Sequence, residues 1–412
     1  MPSTLKALHE VAAAQAVRIM RAETIEIFSE KLAHAGVAEP RPMAEAFIDH
    51  VRSGGVAETF TWGEDDDQGT PTLLSLEYTA EDEARVQARL KRFSDEEVPA
   101  AYQATTRKTV TAIVRSLRRR WNGIAPEHDE ADWLFRLGLD ARWGDGLDGL
   151  RLLLETSREM GATFLRKDRR RKRDRIRNAV LVRLHARGCQ LTAEIIALLA
   201  AGFPDGAMAR WRTLSEVLTV ATLIADHGDD LAARYIEHEA VEHARAVRVY
   251  LRVQSELGER PLPQREQREI QAAYDAALLK HGPDFKNEYG WASVITGKAS
   301  PGFADLEVLA GRSTLRSHYK FASYSVHAGL RGLKFQLGLP DTDNMMLTGP
   351  SNVGLEEPGR LTAHSLAHLS SLLISTRSTL QYTIEIGVLI RLRDQTTKAF
   401  TVAERDLAAE IA

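Results

Sequence analysis

The sequence predicts an all-α protein: a helical bundle built on long antiparallel helix hairpins, preceded by an N-terminal helical region. Two observations carry this. Apolar residues recur at three- and four-residue steps through nearly every long segment, the period of a helix with one buried face. Strand-like character appears in one stretch, residues 59–79, which reads as strand or loop.

The elements follow in order. Residues 3–36 read as one helix, with Ser3 at its N-cap and "AGVAEPRP" ending it. "PMAEAFIDHVRSGG" is a shorter helix with proline in its first turn and a Gly-Gly stop. Within 59–79 the acidic run Glu64 to Asp67 reads as a solvated turn. Residues 80–121 read as two helices split near "FSDEE", where Ser94 and Glu97 have capping-box spacing. "WNGIAPEHDE" (121–130) reads as a loop, and helices over 131–143 and 145–165 are separated by "WGDG". A boundary near 150–175 gives an N-terminal region over 1–160 and a bundle over 170–395. In the bundle, helices over 172–202 and 206–227 meet at the tight turn "GFPDG" and form a long hairpin. "HGDD" starts a helix over 229–257, "GERPLPQRE" is a loop, and 264–281 is helical. Residues 282–304 are irregular, a helix covers 313–336, a long polar loop follows, and a last helix covers 360–394.

Composition bounds the function. The chain has 412 residues, a net charge of -3, 44% hydrophobic and 27% charged residues. Near-neutral charge argues against a protein that binds polyanions over its whole surface, so any nucleic-acid surface is local. The one cysteine, Cys189, allows no intramolecular disulfide, fits a reducing compartment, and reads as a buried inert thiol. No apolar run reaches the roughly 18 residues of a membrane span, and the N-terminus lacks the apolar core of a signal peptide. The expectation is a soluble cytoplasmic protein with no membrane partner. No P-loop, dinucleotide fingerprint, nucleophile elbow or paired CxxC occurs.

Five stretches carry candidate chemistry. "RKDRRRKRDRIR" is the strongest local positive field, and Arg169, Arg170, Arg171, Lys172 and Arg173 are its candidate RNA contacts. Its bland reading is a solvated helix linker. "ARWRTLSEVLTVATLI" sets Arg212 and Glu216 one turn apart in an apolar helix, either as a structural ion pair or as part of a site. "RYIEHEAVEH" reads as a solvated charged face, because His238 and His243 are five apart and share no face. "RLTAHSLAH" gives His364 and His368 ligand spacing without the glutamate of a metalloprotease. "HYKFASYSVHAGLRG" lines up Tyr319, Ser323 and His327 on one helical face, as a buried polar seam or a site.

"ARWRTLSE", "ARYIEHE" and "YKFASYSVHAG" together resemble a bacterial all-helical family of unknown function. The resemblance covers about 175–335 and maps onto Arg212 with Glu216, Arg234 with Tyr235, and Tyr319, Ser323 and His327. The arrangement is also similar to HEPN ribonucleases, helical bundles whose site is an Arg, four to six intervening residues, then His. Arg312 and His318 meet that spacing, and Lys320 with His327 meets it with Lys in place of Arg. The Arg-Asn pair usual before that His is absent. What the resemblance implies is a metal-independent endoribonuclease, often dimeric, of a bacterial stress or phage-defence system. His327 or His318 would then be the general acid–base, and Arg212, Arg234 or Arg316 would hold the phosphate. No cofactor or metal is expected in that reading, and the partners would be RNA, a protein of the defence system, or a second copy. The alternative is a non-catalytic helical module that recognises RNA or a protein partner. A third reading is a metal-dependent activity at His364 and His368.

Overall fold

The computed structural model describes residues 2–54, 60, 74–168, 174–339, 346–375 and 379–411, and all of its regular elements are helical. The acidic run Glu64 to Asp67 and the basic run Arg169, Arg170, Arg171, Lys172 and Arg173 lie outside the described residues. Two compact units divide after Glu127. The sequence-based boundary near 150–175 falls within the second.

In the first unit, α1 (Pro2–His34), α2 (Pro40–Arg52) and α3 (Ala80–Arg92) close on Ile25, Phe28, Leu32 and Ala44. α1 starts ahead of Ser3, so that residue is no N-cap. Arg85 of α3 bonds Glu23 at 2.9 Å and Glu30 at 2.7 Å on α1. The capping box forms at α3. The Asp82 N–H donates to Thr79 Oγ1 at 3.3 Å, and the Thr79 N–H donates to Asp82 Oδ2 at 2.7 Å. The expected box at Ser94 and Glu97 does not form. Residues Phe93–Glu97 make a π-turn with no side-chain cap and lead directly into α4 (Val98–Asp168).

The expected loop at 121–130 and the break at "WGDG" are both helical in α4, with Pro126 inside it. One proline removes one backbone bond, and the helix-forming runs on either side carry through it. Gly146 is a packing residue rather than a turn. A Cβ there would meet the ring of Phe400 at 2.9 Å.

The second unit is built on the hairpin of α5 (Arg175–Ala200) and α6 (Pro204–Glu237). The helical run of α6 is interrupted at Gly228, whose φ of 76° and ψ of -155° are non-helical, so a second helical stretch starts after it as "HGDD" leads one to expect. α7 (Glu239–Val253) and α8 (Gln264–His281) follow, then short turns, α9 (Ser293–Thr296) and α10 (Phe303–Leu309). The expected helix over 313–336 is divided: α11 covers Arg316–Tyr324 and α12 covers Leu330–Lys334. Ser323 Oγ donates back to the Tyr319 carbonyl at 3.0 Å, a bond that competes with the helical ladder, and Gly329 disfavours continuation. The last expected helix is likewise two, α13 (Glu356–Ser375) and α14 (Leu380–Ile411). α13 packs on both arms of the hairpin and on α14. Trp143, Phe164, Leu199, Trp211, Leu214, Leu366 and Phe400 are fully buried between them.

His185 lies inside this core, 4% exposed, sharing a hydrogen bond of 3.0 Å with Ser370 Oγ. Burial pushes its pKa down to about 4. Unfolded, the ring takes up a proton near pH 6.5. The native state resists that proton, so stability falls as pH drops from about 6.5 towards about 4 and levels off below. Between pH 7 and pH 5 this amounts to about 2 kcal/mol. Urea unfolding at the two pH values should show that loss in the wild type and a smaller one in His185→Gln. Cys189 is buried beside it, and burial pushes its thiol up to about 11, as an inert core thiol requires.

Candidate functional site

Two polar assemblies meet α11. The first faces α6. Arg212 and Glu216 form the expected one-turn ion pair at 3.1 Å. The Tyr319 hydroxyl donates to Glu216 Oε1 at 2.5 Å, and Arg212 Nε donates to Ser323 Oγ at 3.1 Å. The Arg212 guanidinium also lies 4.6 Å from the centroid of the Tyr319 ring. Four of the sequence-predicted residues therefore form one seam joining α6 to α11. Burial, then the carboxylate of Glu216, pushes the Tyr319 phenol up, so it stays a donor. Arg316 extends the seam by pairing with the buried Glu307 of α10.

His327 is not in it. α11 ends at Tyr324, and His327 lies beyond the end with its side chain exposed. The single face that joined Tyr319, Ser323 and His327 required an unbroken helix.

The second assembly is on the other side of α11. His318 Nδ1 donates to Glu357 Oε1 at 2.5 Å. The two side chains are 38% and 31% exposed, so the pair sits at the surface within reach of a solute. Glu357 is in the first turn of α13, where the positive end of the helix dipole favours a carboxylate. With Nδ1 committed to Glu357, the Nε2 of this partly exposed His318 has no partner among the described residues. Arg360 is one turn along α13 from Glu357. Its Nη1 donates to Glu356 at 2.6 Å, and its Nη2 has no partner among the described residues. Sequence reasoning missed Glu357 and Arg360. The available signal was the E-x-x-R spacing just before the His364–His368 pair.

The other candidates lie elsewhere. Arg234 donates to the Trp291 carbonyl at 3.2 Å and contacts His281 Nδ1 at 3.0 Å, tying α6 to the turns after α8. It makes no contact with the Arg212 seam. Arg312 is 7% exposed, with Nη2 at 3.5 Å from Ser215 Oγ, and burial pulls its pKa down to about 10. It is an interior residue rather than a partner of His318. His238, expected on a solvated face, is 1% exposed and bonds the Asn287 carbonyl at 2.9 Å, because it lies at the joint between α6 and α7. His364 and His368 are held below their ordinary pKa by burial and neighbouring arginines. Among the described residues, no group of three or more His, Cys, Asp or Glu is placed to hold a metal ion. No described helix is long and apolar enough to cross a membrane.

No curated protein and no solved structure matches the chain. The family resemblance read from the Arg212, Arg234 and Tyr319 stretches does hold. Residues 178–345 match the model of a family of unknown function, DUF5677, which includes His318 and ends ahead of Glu357.

Proposed function

We propose that the protein is a metal-independent endoribonuclease of HEPN type, acting in a bacterial stress or defence system, with His318 as its general acid–base. The observation that supports this is the His318–Glu357 pair. A partly exposed imidazole is oriented through Nδ1 by a carboxylate, and its other nitrogen has no partner among the described residues. In the reaction, Nε2 of His318 takes the proton of a ribose 2′-hydroxyl as that oxygen attacks the adjacent phosphorus. The bond from phosphorus to the 5′-oxygen breaks, and the imidazolium returns a proton to the leaving oxygen. The products are a 2′,3′-cyclic phosphate and a 5′-hydroxyl. Arg360 is the guanidinium positioned nearest along α13 to offset the charge that develops on phosphate. Glu357 keeps the tautomer and stabilises the imidazolium.

The test is cleavage of total RNA and tRNA by purified protein in EDTA. Wild type should cleave, and His327→Ala should cleave at a similar rate, since His327 lies outside both assemblies. Equal cleavage by wild type and His318→Ala would sink the assignment. The filled seam of Arg212, Glu216, Tyr319 and Ser323 favours a second reading, a non-catalytic module that recognises RNA or a protein. No cleavage by wild type would favour that reading.

A further inference from the structure

Between Glu307 and Asp341 the sequence contains no acidic residue, while it carries Arg312, Arg316, Lys320, Arg331 and Lys334. The structure divides these cations in two. Arg312 is interior and Arg316 is paired with Glu307. Lys320, Arg331 and Lys334 are exposed and have no carboxylate partner among the described residues. Aromatic rings alternate with them. Phe321 is 58% exposed and Phe335 is 68% exposed. Phe321 lies edge-on to Tyr324 with ring centroids 5.9 Å apart, and the Arg331 guanidinium is 5.8 Å from the centroid of the Tyr324 ring. α12 is seated directly on the end of α11, because a Cβ at Gly332 would overlap the Tyr324 carbonyl. Phe321, Tyr324 and Arg331 therefore form one contiguous platform, which Lys334 and Phe335 continue along the chain.

From this surface we infer that α11 and α12 form a binding platform for single-stranded RNA, with bases stacking on Phe321, Tyr324 and Phe335 and phosphates held by Lys320, Arg331 and Lys334. The inference rests on the reading that the protein acts on RNA, and it deepens that reading by naming the substrate as unpaired strand. The chemistry favours a single strand. Unpaired nucleotides present a π-face and a phosphate at every step, matching rings that alternate with cations. A duplex hides the faces. Residues 308 to 340 carry no carboxylate of their own, so the segment's own charge is positive throughout.

The test separates binding from cleavage by using a fluorescein-labelled, 2′-O-methyl oligoribonucleotide of mixed sequence, which cannot be cut through its 2′-oxygen. Fluorescence anisotropy should show the full chain binding it more tightly than the matching duplex. The plot of log K against log salt should have a slope of about -2, from three phosphate contacts at about 0.7 each. Each of Lys320→Gln, Arg331→Gln and Lys334→Gln should reduce that slope by about 0.7. Phe321→Ala and Phe335→Ala should each weaken binding roughly tenfold with the slope unchanged. If the platform variants lose binding while wild type never cleaves RNA, the platform stands and the nuclease reading falls. If wild type cleaves and the platform variants bind normally, the platform is overturned and the nuclease reading survives. Equal affinity for duplex overturns it, as does binding only to vesicles of phosphatidylserine and phosphatidylcholine.

Discussion

His318→Ala should lower RNA cleavage by about 10²–10⁴-fold while leaving the protein folded, the range expected when a positioned acid–base is removed. The two halves of this statement have separate grounds. The loss in rate follows from the partly exposed imidazole being held by the carboxylate of Glu357, one turn along α13 from Arg360. The small effect on folding follows from exposure. An ion pair whose members are about a third exposed contributes at most about 1 kcal/mol, so the thermal midpoint should barely move. Glu357→Gln should fall between wild type and His318→Ala. The amide can still accept from Nδ1, so the ring keeps its orientation, but the imidazolium loses a compensating charge. The discriminating measurement is the pH profile of cleavage. His318→Ala should abolish the pH dependence of cleavage, and Glu357→Gln should retain it at a lower rate. Full activity in His318→Ala would remove the histidine from the mechanism altogether.

Much of the fold was legible because burial imposes helical periodicity. The hairpin of α5 and α6 and the 264–281 helix are readable from apolar spacing alone. The helix breaks are where the reading failed, in both directions. Pro126 and the "WGDG" glycines signal interruption locally, yet α4 continues through them, and Gly146 turns out to face Phe400. In 313–336 the apolar pattern continues while the helix stops, since Ser323 and Gly329 act on the backbone and leave no trace in periodicity. That failure determined the site reading. Arg212, Glu216, Tyr319 and Ser323 were found because each pair is one helical turn apart, and helical spacing persists in the fold. His327 was included on the same spacing and lost when the helix ended. Glu357 was invisible because its relation to His318 crosses 39 residues of chain, and no local period encodes such a contact. The arginine-to-histidine spacing selected His318, which the structure places in the surface pair with Glu357, together with Arg312, an arginine that the core had already taken.

The second large effect belongs to the core. Trp211→Ala should destabilise the second unit by about 3–5 kcal/mol, the range for truncating a buried large aromatic. Trp211 is 0% exposed and sits on α6 directly before Arg212. Its indole Nε1 donates to Ser365 Oγ on α13 at 3.1 Å, so the side chain both fills space and satisfies a polar group at the α6–α13 contact. Truncation leaves a void in the cluster of buried side chains that Trp211 shares with Leu214 and Leu366, which are themselves fully buried. Trp211→Phe is the milder truncation. It keeps a six-membered ring but loses the donor and the volume of the fused ring, so it should cost less, about 1–3 kcal/mol. Urea unfolding of the three proteins at one pH gives both numbers. α6 carries Arg212 and Glu216 while α13 carries Glu357 and Arg360, so Trp211 also fixes the helices that bring the two polar assemblies to α11. RNA cleavage by Trp211→Phe, assayed well below its unfolding midpoint, should therefore fall only modestly. A loss as deep as that of His318→Ala in a folded Trp211→Phe protein would mean that the α6–α13 contact, and not the histidine, governs the activity.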